Sequence, residues 1–316
     1  MSKRNILLSF SLIALTAFIL IFPEQALDAA GESTQLWFNR AMPSLLPFMI
    51  SMNILSAIGF TEFTGKWLTK FMKIFGIPGE GGFALIAGMS SGYPMGAKVT
   101  ANLRENGILS QTEAQRLISF ANNSGPLFIL GTVGVSMFNS KQIGYFLILT
   151  HYAAALITGL LFYLFTFREK DIHTHAEYIH PDIEKNKPLG KILKKSVIDS
   201  MDSMTLIGGF IIFFGVICRC FLMIPFFTRQ FAYVSVGILE LTNGLYLSQN
   251  AGLPLKIRIF TAAVLISFGG ISVHAQTISM ISKTDIKVSL YLLSKIIHAI
   301  LALGVSYVLY PAFSFN

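Results

Sequence analysis

The string "SSGYPMGAK", residues 90–98, follows directly on the apolar run "GGFALIAGM", and together they restrict what this chain can become. Two serines, two glycines, a proline and a lysine within nine residues cannot continue a helix through lipid, because every main-chain group freed by the break needs a new partner there. Three more apolar stretches are interrupted in the same way. "ANNSGPLFILGTVGVSMF" is broken at Asn122, Asn123, Ser124, Gly125 and Pro126, and "FAYVSVGILELTNGLYLSQ" at Glu240, Thr242, Asn243 and Gly244. "IFTAAVLISFGGISVHAQTISMI" is broken at Gly269, Gly270, Ser272, His274 and Gln276. The bilayer is the relevant solvent: 53% of the 316 residues are hydrophobic and 13% charged, which describes a multi-pass membrane protein.

The net charge of +8 lies in short polar segments between apolar runs, with no basic patch interleaved with aromatics, so no nucleic-acid partner is expected. Cys218 and Cys220, two apart in "GVICRCF", would form a strained disulfide and lack further metal ligands; they read as reduced packing residues.

Lys3 and Arg4 precede the first apolar stretch, Ile6 to Phe22, and Glu24, Asp28 and Glu32 follow it, which puts the N-terminus inside and favours an uncleaved span over a signal peptide. A second span, Pro43 to Phe60, returns inward to "TEFTGKWLTKFMKIFG". There Lys66, Lys70 and Lys73 oppose Phe63, Trp67, Phe71 and Ile74 at helical spacing, as in an interfacial amphipathic helix, or in a helix packed by that face on the protein itself. Ser110 and Glu113 form a capping box. After the long span "QIGYFLILTHYAAALITGLLFYLFTF" comes a hydrophilic linker, Arg168 to Lys195, whose seven basic residues against five acidic place it inside. Its "HTHAEYIH" offers His173, His175 and His180, a metal cluster or, as we read it, a solvated linker.

A span from Met204 to Phe227, two interrupted segments and the plain span "IKVSLYLLSKIIHAILALGVSYVLY" then repeat the order of the first half. The first-half span runs inward and the second-half span outward, so the halves are expected to be inverted, the pattern of transporters with a site between repeats. Gly92, Pro94 and Gly96 permit the first break, and Ser90, Ser91 and Lys98 supply donors; the bland alternative is a kink or exposed loop. Lys98 serves either a substrate carboxylate or the membrane interface. Glu240, the sole acidic residue between Asp202 and Asp285, either couples an ion or orients substrate, or else holds the fold through a salt bridge or a helix-end cap.

The strings "GMSSGYPMGAK", "SFANNSGPLFILGTVG", "ELTNG" and "FGGISVHAQ", in this order over nearly the whole chain, closely resemble the YlbJ-type sporulation integral membrane proteins, or stage V sporulation proteins, with nucleoside-recognition (Gate) domains. The resemblance implies an all-α polytopic fold with two inverted repeats, re-entrant hairpins and broken transmembrane helices, like the concentrative nucleoside transporters. It divides the chain into an N-terminal span and outer loop (1–40), a first Gate-like repeat (41–167), a cytoplasmic linker (168–198) and a second repeat (199–316). It implies export of dipicolinic acid from the mother cell across the outer forespore membrane, serving spore cortex and maturation. A pyridine dicarboxylate wants N–H dipoles, hydroxyls and a cation beside an apolar wall. Candidates are Ser90, Ser91, Gly92, Tyr93, Lys98, Asn122, Asn123, Ser124, Gly125, Glu240, Thr242, Asn243, Ser272, His274 and Gln276. Nothing resembles a hydrolase triad, a phosphate-cradling loop or a closed metal site, so a transporter without enzyme activity, metal or cofactor is expected. A neutral-solute Gate transporter and a cortex scaffold stay open as alternatives, as do proton or sodium coupling and the oligomeric state.

Overall fold

The helix-breaking strings fall where the helices stop. The computed structural model describes residues 3–166, 188–224 and 232–315, which are almost entirely helical and contain no strand. The linker histidines His173, His175 and His180, the end of the span expected to reach Phe227, and Asn316 lie outside the described residues.

Helix α1 (Lys3–Ile21) turns by 104° at Phe22 into α2 (Pro23–Leu36). The outer loop expected here is therefore a helix. Pro23 at its first position and Glu24 in its first turn suit a helix start, and Ala26 and Ala29 bury against Val216 of a later helix. A π-helical stretch (Trp37–Ala41) carries the chain into α3 (Met42–Ala57), and an 87° bend at Ile58–Gly59 lays α4 (Phe60–Met72) across the end of α3. On α4, Thr61, Thr64, Gly65 and Met72 are buried, whereas Trp67 is 79% exposed and Phe63, Phe71 and Ile74 point outward with it. The aromatic face does not pack on the protein, which removes the alternative of a helix packed by that face.

Two short helices, α5 (Gly81–Ser91) and α6 (Met95–Glu105), fold back on each other at Gly92–Pro94. Next comes α7 (Gln111–Ala121), opened by the expected capping box: Glu113 N–H donates to Ser110 Oγ at 3.2 Å and Ser110 N–H to Glu113 Oε2 at 2.7 Å. Residues 122–125 leave the helix, a π-helical stretch (Leu127–Met137) follows, and α8 (Lys141–Thr166) completes the half.

In the second half, α9 (Leu189–Met223) is 35 residues long. Its first ten residues were expected to belong to the linker ending at 198; the lysine-rich start hides a helix. Asn53 donates to Ser200 Oγ at 2.9 Å, Lys98 Nζ to Ser203 Oγ at 2.8 Å, and Trp37 Nε1 to the Met204 carbonyl at 3.0 Å, so α9 is tied to the first half along its length. Farther on, Arg219 pairs with Glu32 at 2.9 Å. The free cysteines Cys218 and Cys220 lie on this helix. A second pair, α10 (Ala232–Leu239) and α11 (Leu241–Gln249), reverses at Glu240, with Gly237 and Gly244 so close that a Cβ on Gly244 would lie 2.1 Å from Gly237 Cα. Gly269 then separates α12 (Leu255–Phe268) from α13 (Gly270–Met280), and α14 (Val288–Leu309) closes the chain.

Among the described residues four helices are long and apolar enough to cross a membrane, or six if each bent pair is one span. Exposed Leu20, Phe165 and Val308 are lipid contacts in such a protein, not faults of packing. The chain is an all-α polytopic membrane protein. Hairpin, broken helix, long helix is the order in both halves.

The halves also meet at one rim. Arg104 at the end of α6 donates from Nε and Nη2 to both Asp285 oxygens at 2.8 and 2.7 Å, and the Gln115 side chain accepts from Lys287 N–H at 2.7 Å. The two-pronged hydrogen bond from Arg104 holds the Asp285 carboxyl below its ordinary value. This half-exposed pair contributes about 0.2–1 kcal/mol. Because the carboxyl titrates lower when folded, that contribution is present above about pH 4 and lost as the pH falls further. Asp285→Asn should lower the melting temperature in detergent slightly at pH 7, and the gap to wild type should close toward pH 3; a gap equally wide at pH 3 would contradict the ion pair.

Candidate functional site

Two backbone breaks meet at the centre of the molecule. At the first, α7 ends at Ala121 and Asn122 is extended (φ −89°, ψ 94°). The tip of the α5–α6 hairpin presses on it: Gly92 has φ +91°, and a Cβ there would lie 2.5 Å from Gly125 N. A side chain on either glycine would part the two backbones. At the second, Gly269 (φ +93°) kinks the span, Tyr93 covers it, and Gly270 faces the α10–α11 tip, where a Cβ would lie 3.1 Å from Leu241 N.

The groups released by the first break find partners on other helices. Ser124 N–H donates to His151 Nε2 at 3.1 Å, which puts the imidazole proton on Nδ1; that nitrogen lies 2.9 Å from Ser267 Oγ and donates to it. The ring of His298 stacks on His151 with centroids 4.7 Å apart and hydrogen-bonds the His151 carbonyl through Nε2 at 3.0 Å. Lys295 Nζ donates to the Asn122 carbonyl. The Asn122 amide donates to Thr277 Oγ1 at 2.9 Å and to Tyr291 Oη at 3.2 Å. Tyr291 Oη in turn lies 3.2 Å from Thr277 Oγ1 and 3.0 Å from His274 Nδ1, so its single proton serves one of the two. Tyr291, Lys295 and His298 stand at i, i+4 and i+7 on one face of α14, all fully buried.

This network is incomplete. Ser91 Oγ, Asn122 Oδ1, Asn123 Oδ1, Thr150 Oγ1, His274 Nε2 and His298 Nδ1 are buried without a hydrogen-bond partner among the described residues. Leaving a buried polar atom unpaired costs about 1–3 kcal/mol, so a cluster of them marks a place for water or solute.

The candidates from the sequence divide. Ser91, Gly92, Tyr93, Asn122, Ser124, Gly125 and His274 come together at the breaks; Asn123, Ser272 and Gln276 are buried on the same segments. Ser90 is exposed and bonds its own helix at Ile86 O. Lys98 turns away to the Asp199 carbonyl and Ser203 of α9. Glu240 caps α11, accepting from Thr242 N–H at 3.1 Å and Asn243 N–H at 2.8 Å, and Asn243 borders a cleft of about 380 Å³ beside Glu32 and Arg219. His151, Ser267, Thr277, Tyr291, Lys295 and His298 were not anticipated, although an ionisable residue inside a span is itself a signal.

The Gate family model, described as nucleoside recognition, matches residues 38–167, which run from the π-helical stretch before α3 to the end of α8. The chain is also 32% identical over 336 aligned residues to the sporulation integral membrane protein YlbJ of Bacillus subtilis (strain 168), covering 96% of this chain and 82% of that one. The chain belongs to the YlbJ family. No solved structure matches it. In this YlbJ family member, Tyr291→Phe removes the hydroxyl that receives Asn122 and reaches His274 and Thr277. The expected cost is about 1–3 kcal/mol, read as a lower melting temperature in detergent with membrane insertion intact; an unchanged melting temperature would mean the hydroxyl bonds none of them.

Proposed function

We propose that this protein is a membrane transporter of sporulation that moves dipicolinate, a planar pyridine dicarboxylate, from the mother cell across the outer forespore membrane, with the two halves acting as inverted repeats around the central site. It carries out no covalent chemistry. Family membership supports a role in sporulation and a Gate-type architecture. The observation that carries the reading is the meeting of two broken helices and two hairpin tips around buried polar atoms without partners. A protein built only to brace a membrane gains nothing from unpaired polar groups at its centre, whereas a solute site needs them. The hydroxyls of Ser91 and Thr150 and the ammonium of Lys295 suit carboxylates, and the rings of Tyr93 and Tyr291 suit a flat aromatic ring. Proteoliposomes holding the purified protein should take up labelled dipicolinate and not labelled uridine. Uptake of uridine alone would replace this reading with nucleoside transport, and uptake of neither would leave a scaffold.

Glu240 is the coupling group in this reading. Its carboxylate caps α11 beside the second break, with the Glu240 Cα 3.5 Å from where a Cβ on Gly270 would stand. Gln at this position keeps an oxygen for the cap but cannot ionise. Glu240→Gln should leave the protein abundant in the membrane and allow exchange of solute, while accumulation against a gradient is lost; wild-type accumulation would show that ionisation here is unnecessary.

A further inference from the structure

Lys295 sits on α14 with none of its surface exposed. Its ammonium has three N–H donors, of which one goes to the Asn122 carbonyl. The rings of Tyr93 and Tyr291 flank it at 5.8 and 5.9 Å. The other titratable groups around it are His151, His274 and His298, none of which brings negative charge, and among the described residues no carboxylate lies within ion-pair distance. Two compensations are visible: the carbonyl end of α7, with its partial negative charge, and the faces of two tyrosines. Neither matches what a buried ammonium loses on leaving water, and a buried charge without a counter-charge is normally avoided. Beside it stand unpaired atoms of Asn122 and His274, and Ser91, two residues before Tyr93, has a hydroxyl without a partner. Lys295 is therefore the strongest base of a polar centre that holds, among the described residues, no carboxylate within ion-pair distance.

Resting on the transport reading above, we propose that Lys295, not Lys98, is the counter-charge for a carboxylate of the solute, held between the Tyr93 and Tyr291 rings at the first backbone break. The charge makes the site select an aromatic acid over its neutral amide. A lysine that only capped α7 would stabilise the fold equally whatever solute was present.

The test is thermal unfolding and binding of the purified protein in detergent with matched probes: pyridine-2,6-dicarboxylate against pyridine-2,6-dicarboxamide, and benzoate against benzamide. Wild type should be stabilised by the acids and not by the amides. In Lys295→Gln, affinity for the dicarboxylate should fall about ten- to a hundredfold, as expected for a charge-assisted hydrogen bond, with the diamide unchanged or improved. Lys295→Arg should keep the preference for acids. An acid-to-amide ratio unchanged in Lys295→Gln would overturn the proposal. If Lys295→Gln does not fold, the wild-type comparison still decides: equal stabilisation by acid and amide, or none by the acids, overturns it. Binding of benzoate through Lys295 with no transport of dipicolinate would sink the dipicolinate reading and leave this one standing. Transport of dipicolinate by Lys295→Gln with wild-type affinity would do the reverse.

Discussion

A main chain that leaves its helix within a bilayer must find every lost hydrogen bond inside the protein, and the arrangement of this molecule follows from meeting that demand twice. At the first break the Ser124 N–H is taken by His151 on α8 and the Asn122 carbonyl by Lys295 on α14, which draws two long helices to one point. His151 then reaches Ser267 on α12, and the Asn122 side chain reaches Thr277 on α13. Four helices from both halves are thereby fastened around four non-helical residues. Interhelical hydrogen bonds in membranes contribute only about 0.6 kcal/mol each on average, so the centre is held by the set and not by any one bond.

The two breaks solve the same problem differently. The second is a pair of glycines with positive φ, Gly269 and Gly270, where the helix resumes at once, so few main-chain groups are released and few polar partners are needed. The first is an extended stretch that ends in a π-helical segment and recruits a lysine, two histidines and a tyrosine. Polar side chains concentrate around the first break because it exposes more backbone. The order of hairpin, broken helix and long helix is thus kept in both halves while the chemistry gathers in one.

Much of this was legible before any coordinates. Glycine, proline and amide clusters inside apolar runs located all four breaks, since few other residues tolerate the backbone they impose. The capping box of α7 and the outward aromatic face of α4 were readable for the same local reasons. What escaped was long-range. Tyr291, Lys295 and His298 read as features of a plain span, because nothing local says which face of α14 meets Asn122. Lys98 was the visible cation beside the first break, yet its helix directs it to α9. The first turns of α9 and the whole of α2 looked like loops because their charged or small residues carry no apolar stripe; the start of α9 packs on α3 at Asn53, and α2 packs on the far end of α9 at Val216.

Helix length also sets depth. The loop before α5 packs against α4, where a Cβ on Gly79 would stand 2.0 Å from the Gly65 carbonyl, so α5 begins at the level of the helix whose aromatic face is exposed. From there α5 has eleven residues, which at about 1.5 Å each descend some 16 Å, close to half of a hydrocarbon core about 30 Å thick. α7 also has eleven residues. With α4 lying at the interface as a float, the glycine tip hung beneath it would meet the first break near mid-bilayer, at a height measured from the water line.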